Sequence, residues 1–314
     1  MLKYAGKRVL GVIPVLLGVS IIVFLILHFT PGDPALIILG PRATAQALAE
    51  VRSQLGLDLP IHEQYVRWMF NILKGDWGRS LLYKTPVTEL IGQRLPATML
   101  LTVAALVIAT AFGIFTGIIS ATKQYSWQDR TLMTMALVGF CLPVFWLALI
   151  MQLFFSIRLG ILPVAGINSP GVNSIGDTLK HLILPSVTLA IGTMATIARM
   201  TRGSMLEVVR QDYIRTARAK GVSKRGIAYK HALRNALIPV VTVVGSQFGY
   251  LLSGEVLLEM VFSWPGLGTL MINGILARDF PLVQGIILFV ATIYVLVNLL
   301  VDLLYSVLDP RIVY

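Results

Sequence analysis

The sequence predicts an all-α membrane protein with six transmembrane helices. Only 13% of its 314 residues are charged, whereas 56% are hydrophobic, and the mean hydropathy is +0.79. Soluble globular domains carry about 25% charged residues, so this chain has too few to cover a water-facing surface. Six uncharged stretches approach or exceed the roughly 18–20 residues that a helix needs to cross a bilayer. The composition therefore excludes a soluble enzyme, and the high hydrophobicity excludes a disordered chain.

Each uncharged stretch is expected to be helical, because hydrocarbon offers a backbone no hydrogen-bond partner except the helix itself. The first stretch follows a short basic segment and so resembles a secretory signal. It is longer than the apolar part of a signal, and no cleavage site follows it, so we expect a retained span. In chain order the predicted spans are Val9–Phe29, Leu95–Thr122, Thr131–Ile157, His181–Ala198, Asn235–Gly254 and Phe280–Val301.

The distribution of basic residues orients these spans. If both termini are cytoplasmic, the segments on that side hold 16 of the 26 Lys and Arg residues. The opposite side holds 10, of which 7 lie in one long loop of the kind that contributes little to orientation. Because basic segments are retained in the cytoplasm, the sequence predicts an N-in, C-in topology.

The spans divide the chain into three parts. Residues 1–29 form an N-terminal transmembrane helix, residues 30–94 an external loop or cap, and residues 95–308 a core domain of five spans. Two cap segments have helical spacing, Ala45–Leu55 and His62–Ile72. We expect the cap to lie on the bundle, because it is short for an independent domain.

Two further outer loops separate the later spans. Arg158–Lys180 is rich in Gly, Pro, Ser and Asn, so it is expected to be irregular. Ser263–Asp279 contains the run Pro265–Gly268 (PGLG), which favours a turn. The single cysteine, Cys141, lies in an apolar run, which indicates a small packed thiol rather than a disulfide or a metal ligand.

The cytoplasmic segment 199–234 carries most of the functional information. It contains ten basic residues against Glu207 and Asp212, so it alone contributes a charge of +8. Apolar positions recur there at spacings of three and four residues, which predicts an amphipathic helix. These positions are Leu206, Val209, Tyr213 and Ala217.

A glycine elbow follows this predicted helix. Gly221 interrupts the pattern where a left-handed C-cap is expected. Ser223 is placed to cap a second helix, which would run from Lys224 into the fifth span. The charge alone is explained by topology and by attraction to anionic lipid. Two helices joined by an elbow are also typical of a docking surface for a cytoplasmic partner, and both interpretations remain open at this point.

The segment Arg215–Gly221 (RTARAKG) resembles the EAA loop of ABC importer permeases, with alanine and glycine at the family spacing. Further matches extend over nearly the whole chain and are similar to the first permease subunit of dipeptide and oligopeptide importers. Each match is weak alone, but their order and spacing together are specific. They are Met1–Tyr4, Thr30–Pro34, Leu95–Thr98, Arg234–Pro239, Phe262–Gly268 and Asp309–Pro310.

The resemblance implies a type I ABC importer permease fold in the bacterial inner membrane. It also implies the partners, which are a homologous second permease, two cytoplasmic ATPases, an external substrate-binding protein and membrane lipid, but no nucleic acid. The chain is then not an enzyme and binds no cofactor itself, because ATP-Mg is held by the ATPases. The implied cargo is dipeptides or oligopeptides, and the same architecture carrying nickel or glutathione is the alternative.

By the same resemblance, the elbow corresponds to the coupling helix, which contacts the ATPase. Arg215 stands where the wider superfamily has glutamate, and Arg234 stands where it has proline. Both departures are typical of the peptide branch, so a salt bridge from that glutamate is not transferred to this chain. The residues assigned to coupling are Tyr213, Arg215, Thr216, Ala217, Arg218, Ala219, Lys220, Gly221, Val222 and Ser223.

Glu255 and Glu259 are spaced i, i+4 and so share one face of a helix that continues the fifth span. That span has 20 residues in Asn235–Gly254, or about 30 Å of helix, so both acids are expected at the outer interface. Two interpretations stay open, a solvated or hydrogen-bonded rim and a role at the mouth of the transport pathway. No residues have the spacing of a metal site.

Other classes of membrane protein fit less well. No phosphate-binding G-x-x-x-x-G-K-[ST] motif occurs, so the chain cannot supply the ATPase itself. A secondary transporter normally carries ionisable relays at the midplane and inverted repeats, and neither is visible. An intramembrane protease needs a nucleophile and a base within hydrogen-bond reach, and the sixth span contains no histidine.

Overall fold

The computed structural model describes five stretches of the chain, residues 2–29, 34–40, 43–172, 174–252 and 256–308. Within them the chain is helical and contains no β-sheet. Two segments are π-helical. Gln152–Arg158 continues α7, and Ile227–Ala232 leads into α11. The helices are α1 (Leu2–Phe29), α2 (Pro34–Leu39), α3 (Ala45–Leu55), α4 (Ile61–Leu73), α5 (Val87–Thr122), α6 (Trp127–Cys141), α7 (Val144–Met151), α8 (Ile175–Val209), α9 (Asp212–Ala219), α10 (Lys224–Gly226), α11 (Leu233–Leu252), α12 (Val256–Val261), α13 (Leu267–Leu276) and α14 (Phe280–Leu308).

The predicted number of spans is confirmed, but one span is not straight. Five helical segments are long and apolar enough to cross a membrane, namely α1, α5, α8, the segment Ile227–Leu252 and α14. The pair formed by α6 and α7 passes the same test, but its halves meet at 103°. The prediction of one continuous helix over Thr131–Ile157 is therefore wrong. Pro143 has no N–H, and Leu142 before it is extended, so the helical hydrogen bonds end there.

The fourth span belongs to a much longer helix. The sequence predicts it at His181–Ala198, where charged residues mark both ends, whereas α8 runs for 35 residues. Its first turn is capped by Ser174, whose Oγ accepts a hydrogen bond from the N–H of Asp177 at 3.2 Å. Charged residues limit a membrane span but do not end a helix. The last part of the loop predicted to be irregular, Arg158–Lys180, is therefore helical.

The bundle is centred on the contact between α5 and α8, where small residues allow a close approach. A Cβ on Gly117 would lie 2.5 Å from Cβ of Thr201, and one on Gly113 would lie 2.9 Å from the side chain of Ile197. Residues from α11 and α12 complete this core. Cys141 is exposed on the surface of the chain, so the prediction of a packed thiol is wrong.

The outer cap contains two helices, α3 and α4, in the segments where helices are predicted. α4 packs on α1, where Tyr65 shares a hydrogen bond of 2.8 Å with Ser20. Farther along the cap, the fully buried Asp279 before α14 accepts hydrogen bonds from the Ser80 hydroxyl and from the N–H of Leu82 at 3.0 Å. The cap is thus attached to both the first and the last span.

Candidate coupling site and outer turn

The cytoplasmic elbow, residues 210–226, lies between α8 and α11. The chain turns after α8, and α9 is a separate helix of 8 residues, so the prediction of one continuous amphipathic helix is wrong. Because of the turn, the apolar spacing of three and four residues does not continue from α8 into α9. The buried residues are therefore Met205, Val208 and Ile214. The four predicted apolar positions are only half-buried or exposed, namely Leu206, Val209, Tyr213 and Ala217.

Ile214 joins the elbow to the bundle. Its side chain is 0% exposed, and burial of an isoleucine contributes about 1.5–3 kcal/mol. It packs in an apolar cluster with the cytoplasmic end of α8 and the beginning of the fifth span, and Val222 packs against the same cluster. A displacement of α9 therefore reaches two spans by direct contact. The cluster consists of Met205, Val208, Ile214, Ile227, Ala228, Ala232 and Ala236.

The opposite face of α9 is exposed and basic. The ion pair between Arg215 and Asp212 at 3.4 Å joins two exposed side chains and contributes little to stability. Ala217 is half-buried between the two faces. The residues predicted for coupling that are exposed in this chain are Arg215, Thr216, Arg218, Ala219, Lys220, Gly221 and Ser223.

Gly221 shapes the elbow through its backbone conformation. Its φ is +78°, in the left-handed region that favours glycine, and its N–H donates to the carbonyl of Arg218 at 3.0 Å. Within the described part of the chain, no atom lies within 4 Å of the position where a Cβ would stand, so glycine is needed for its conformation and not for space. Ser223 caps the next helix, because its Oγ accepts from the N–H of Gly226 at 3.2 Å.

Tyr213 ties α9 to the beginning of the fifth span. Its hydroxyl accepts a hydrogen bond from Nδ2 of Asn235 at 2.7 Å and donates to the carbonyl of His231 at 3.3 Å. Tyr213 therefore acts within this chain, although its ring remains 39% exposed. The tie complements the contact made by Ile214.

An ion pair beside the elbow was missed by the sequence analysis. Nε and Nη2 of Arg202 donate to the two carboxylate oxygens of Asp129 at 2.7 and 2.9 Å, which joins α8 to α6. Asp129 also accepts from the N–H of Tyr125 at 3.0 Å. One feature of the sequence could have indicated this ion pair, because Asp129 is the only acid in the short basic loop before the third span.

The outer turn, residues 259–269, joins α12 to α13. Glu259 is 1% exposed, and its carboxylate accepts from the N–H of Thr269 at 2.9 Å and from the hydroxyl of Thr98 at 3.1 Å. Thr269 lies in the first turn of α13, so the negative charge stands at a helix N-terminus, where it is stabilised. Burial raises the pKa of the Glu259 carboxyl above its usual value, and the hydrogen bonds from Thr269 and Thr98 offset only part of this rise.

The surroundings of Glu259 show that it is an internal anchor. A Cβ on Gly266 would overlap its carboxylate. Trp264 is fully buried and donates from Nε1 to the carbonyl of Ala97 at 2.9 Å. The predicted hydrogen-bonded environment is therefore present, but a solvated one is wrong for Glu259. Glu255, the other predicted acid, lies outside the described residues.

The turn predicted within the loop Ser263–Asp279 occupies only the first residues of that loop. The backbone reverses at Ser263, whose φ is +47°, and α13 begins at Leu267. The N–H of Leu267 donates to Oγ1 of Thr98 at 2.8 Å, so the turn is fixed against α5. Most of the loop is consequently helical.

Six apolar spans and an exposed basic elbow define a multi-pass membrane protein with a charged cytoplasmic face. Comparison with protein families makes this specific. Residues 113–314 match the family described as "Binding-protein-dependent transport system inner membrane component", and residues 1–102 match the N-terminal family of the same membrane components. The chain belongs to the family of binding-protein-dependent transport system inner membrane components.

Relatives match over the full length of the chain. The glutathione transport system permease protein GsiC of Escherichia coli (strain K12) is 45% identical over 314 residues and is covered completely, as is this chain. The dipeptide transport system permease protein DppB of Alkalihalophilus pseudofirmus is 48% identical over 333 residues, again with complete coverage of both chains.

Solved structures share the fold at lower identity. The MetNI methionine ABC transporter in its inward-facing conformations matches with a TM-score of 0.59 and 16% identity, over 71% of this chain and 97% of that chain. An amino acid ABC transporter with histidines matches with a TM-score of 0.52 and 17% identity, over 72% and 95% respectively. The predicted all-α permease fold is confirmed.

Family membership confirms several further predictions. The chain is a multi-pass permease of the bacterial inner membrane, and ATP hydrolysis takes place in separate ATPase subunits. The family has no cofactor of its own. A partner permease, ATPases and a binding protein accompany such permeases in general.

Proposed function

We propose that this chain forms, with a homologous second permease, the pathway by which an ATP-driven importer moves dipeptides and oligopeptides. In this proposal two cytoplasmic ATPases bind and hydrolyse ATP-Mg, an external binding protein delivers the peptide, and lipid surrounds the bundle. The names of the relatives support the cargo class, because one is a dipeptide permease and the other a permease for glutathione, itself a small peptide. Glutathione and nickel are the alternative cargoes.

The coupling function is proposed for the elbow and its residues Tyr213 and Arg215–Ser223. The observation that carries it is the division of α9 into two faces. Ile214 lies fully buried against two spans, while the basic face is exposed and available to another subunit. A rigid contact of this kind transmits movement between the ATPase and the spans.

A role at the pathway mouth is proposed for the region of Glu255 and Glu259. In this proposal Glu259 contributes by holding the outer turn in place rather than by touching the cargo, because its carboxylate is enclosed within the chain. Glu255 is proposed for the same region on its sequence position alone.

The coupling proposal is tested by paired substitutions at two positions. Gly221→Val and Ala217→Trp should abolish transport by the complete importer at matched membrane levels. Gly221→Asn and Ala217→Ser are the matched controls, because asparagine tolerates the left-handed conformation and serine is nearly as small as alanine. The controls should keep at least about half of the transport, because asparagine adds a conformational cost of about 1 kcal/mol or less and serine adds little volume. Normal transport in Gly221→Val and Ala217→Trp would refute the assignment.

Lipid attachment of the loop gives a different outcome in the same assay. If the loop only anchors to anionic lipid, replacing the basic residues Arg218, Lys220, Lys224 and Arg225 by glutamine should reduce transport most. Ala217→Trp should then be tolerated. Measuring co-purification of the ATPases for both sets separates loss of docking from loss of membrane contact.

The cargo is tested with the complete system in proteoliposomes. A dipeptide, glutathione and Ni²⁺ are offered in turn with the cognate binding protein. The proposal expects ATP-dependent uptake of the dipeptide. Uptake of Ni²⁺ alone would refute the peptide assignment, and the isolated chain should hydrolyse no ATP in either case.

A further inference from the structure

A cavity with a mainly apolar lining and a few polar groups lies in the membrane part of this chain. It has a volume of about 280 Å³ and opens between the broken pair α6 and α7, the middle of α8 and the outer end of α11. Small-molecule sites usually measure about 300–1,000 Å³, so this cavity accommodates a part of an extended peptide. Its lining includes Gly139, Phe140, Thr193, Thr196, Gln247 and Tyr250.

The depth of the cavity follows from the helix rise of 1.5 Å per residue. Gln247 lies about 21 Å above the cytoplasmic beginning of α11, and Thr193 about 24 Å above the cytoplasmic end of α8. α6 rises about 22 Å from its own cytoplasmic beginning to the break. The lining residues of the three walls thus lie at similar heights above the cytoplasmic ends of their helices.

The broken helix leaves main-chain acceptors at this level. The N–H of Leu142 donates to the carbonyl of Val138 at 3.1 Å, and after it Pro143 offers no N–H. In the part of the chain that the structure describes, no hydrogen bond reaches the carbonyl oxygens of Gly139, Phe140 or Cys141.

Unpaired carbonyls at membrane depth are tolerated where they line a polar cavity. Gly139 has no side chain, so it lines the cavity with its main chain, beside Phe140. The carbonyl end of a helix also carries the negative end of the helix dipole, which attracts N–H donors and cations. The free carbonyl groups at the break are therefore available as hydrogen-bond acceptors beside this cavity.

The opposite wall carries an amide. Gln247 is half-buried, and among the described residues its side chain makes no hydrogen bond. A glutamine amide offers both donors and an acceptor. Thr196 adds a hydroxyl, which makes only a long contact of 3.4 Å to the carbonyl of Gly192. Polar side chains of α8 and α11 thus line the same cavity as the broken end of α6.

We propose that this cavity is a cargo subsite that binds the main chain of a peptide during its passage. The carbonyls of Gly139 and Phe140 accept hydrogen bonds from the peptide ammonium or amide N–H groups. The Gln247 amide donates to a peptide carbonyl. The subsite rests on the proposed peptide-import function and specifies how this chain recognises that cargo. It binds what all peptides share, so side-chain selectivity is left to the binding protein.

The test uses the complete importer in proteoliposomes with its binding protein, and dialanine as the cargo. Gln247→Leu removes the amide and retains the size and the helix. It should lower ATP-driven dialanine uptake by about tenfold, the effect expected when a buried partner of a polar group is lost. Gln247→Asn keeps an amide and should restore part of the uptake.

Ser246→Ala is the matched control, because Ser246 is on the same helix and its hydroxyl bonds to the carbonyl of Val243 in that helix. Its uptake should stay within about twofold of the wild type, as for an ordinary exchange at a site without a role. If Gln247→Leu does not accumulate, Thr196→Val removes a polar group from the facing wall and should also lower uptake.

Two failures are distinguishable. A wild-type complex that takes up no dialanine overturns the proposed function together with the subsite. Normal wild-type uptake that is unchanged in Gln247→Leu and in Thr196→Val overturns the subsite alone. Equal loss in Gln247→Asn and Gln247→Leu, with both complexes assembled, would also overturn it, because the amide would then have no role.

Discussion

The elbow and the outer turn are both short connections that depend on a glycine, but they depend on it for different reasons. Gly221 in the elbow has a φ of +78° and open space around it. Gly266 in the outer turn has a φ of −98°, which any residue adopts, but the Glu259 carboxylate leaves no room for a Cβ. The elbow needs a conformation, and the outer turn needs close contact.

The two connections are also held differently. The elbow is fixed by apolar packing of Ile214 and by exposed hydrogen bonds of Tyr213, with an exposed basic face on its other side. The outer turn is fixed by buried hydrogen bonds to Glu259 and by the indole of Trp264. Hydrogen bonds fix direction, whereas apolar contacts allow small displacements without leaving a polar group unpaired. In the proposed coupling function, this difference leaves the outer end fixed and allows the cytoplasmic end to move with the ATPase.

The largest expected effect is at the outer turn. Glu259→Ala removes the acceptor for two buried donors, each of which costs about 1–3 kcal/mol when left unpaired. Gly266→Ala forces a methyl group into the same carboxylate. Both variants should strongly lower the amount of folded permease and its thermal stability in detergent.

Gly203→Ala is the control for that experiment, because no atom lies within 4 Å of its Cβ position. It should be as stable as the wild type. Full stability of Gly266→Ala would show that the outer turn is adaptable, and the contrast with the elbow would disappear.

The sequence predicted the left-handed conformation of Gly221 correctly. It did not predict that Gly266 must be a glycine. A C-cap glycine is encoded locally, by the helical pattern before it and a capping serine after it. The need for Gly266 arises from Glu259 folding back onto the turn. Thr98, which completes the contact, is distant in sequence, and no local pattern reports it.

The helices likewise divide into features that the local sequence predicts and features that it does not. Uncharged windows located the spans, because charge is what hydrocarbon excludes. They did not give the length of α8, whose charged ends continue outside the membrane. The break at Pro143 was not predicted, because a proline within a span does not by itself show whether the helix breaks. Pro14, Pro185 and Pro239 also lie within spans, and their helices continue through them.

An intermediate effect is expected at the ion pair beside the elbow. Asp129→Asn leaves the Arg202 guanidinium without its charged partner, and hydrogen bonds to charged groups contribute about 1.5–3 kcal/mol. The thermal stability should fall by less than for Glu259→Ala, because Arg202 is partly exposed to solvent. A loss as large as that of Glu259→Ala would mean that the cytoplasmic end is also fixed by polar contacts.

The smallest effect on stability is expected on the outward face of α9. Arg215→Gln, Arg218→Gln and Lys220→Gln alter exposed side chains without buried partners in the described chain, so the melting temperature should not change measurably. Co-purification with the ATPases is measured on the same samples. A clear drop in melting temperature would show that this face packs within the permease itself.

The most direct test of the proposed coupling through Ile214 compares Ile214→Ala with Ile214→Val in the complete importer. Ile214→Ala opens a cavity worth about 2–5 kcal/mol between α9 and the spans, whereas Ile214→Val costs about 0.5–1.5 kcal/mol. The measurement is the amount of peptide transported per ATP hydrolysed in proteoliposomes. We predict that Ile214→Ala assembles and hydrolyses ATP but transports about tenfold less peptide per ATP, while Ile214→Val stays near the wild type. An unchanged ratio in Ile214→Ala would contradict the claim that the elbow transmits movement through this contact.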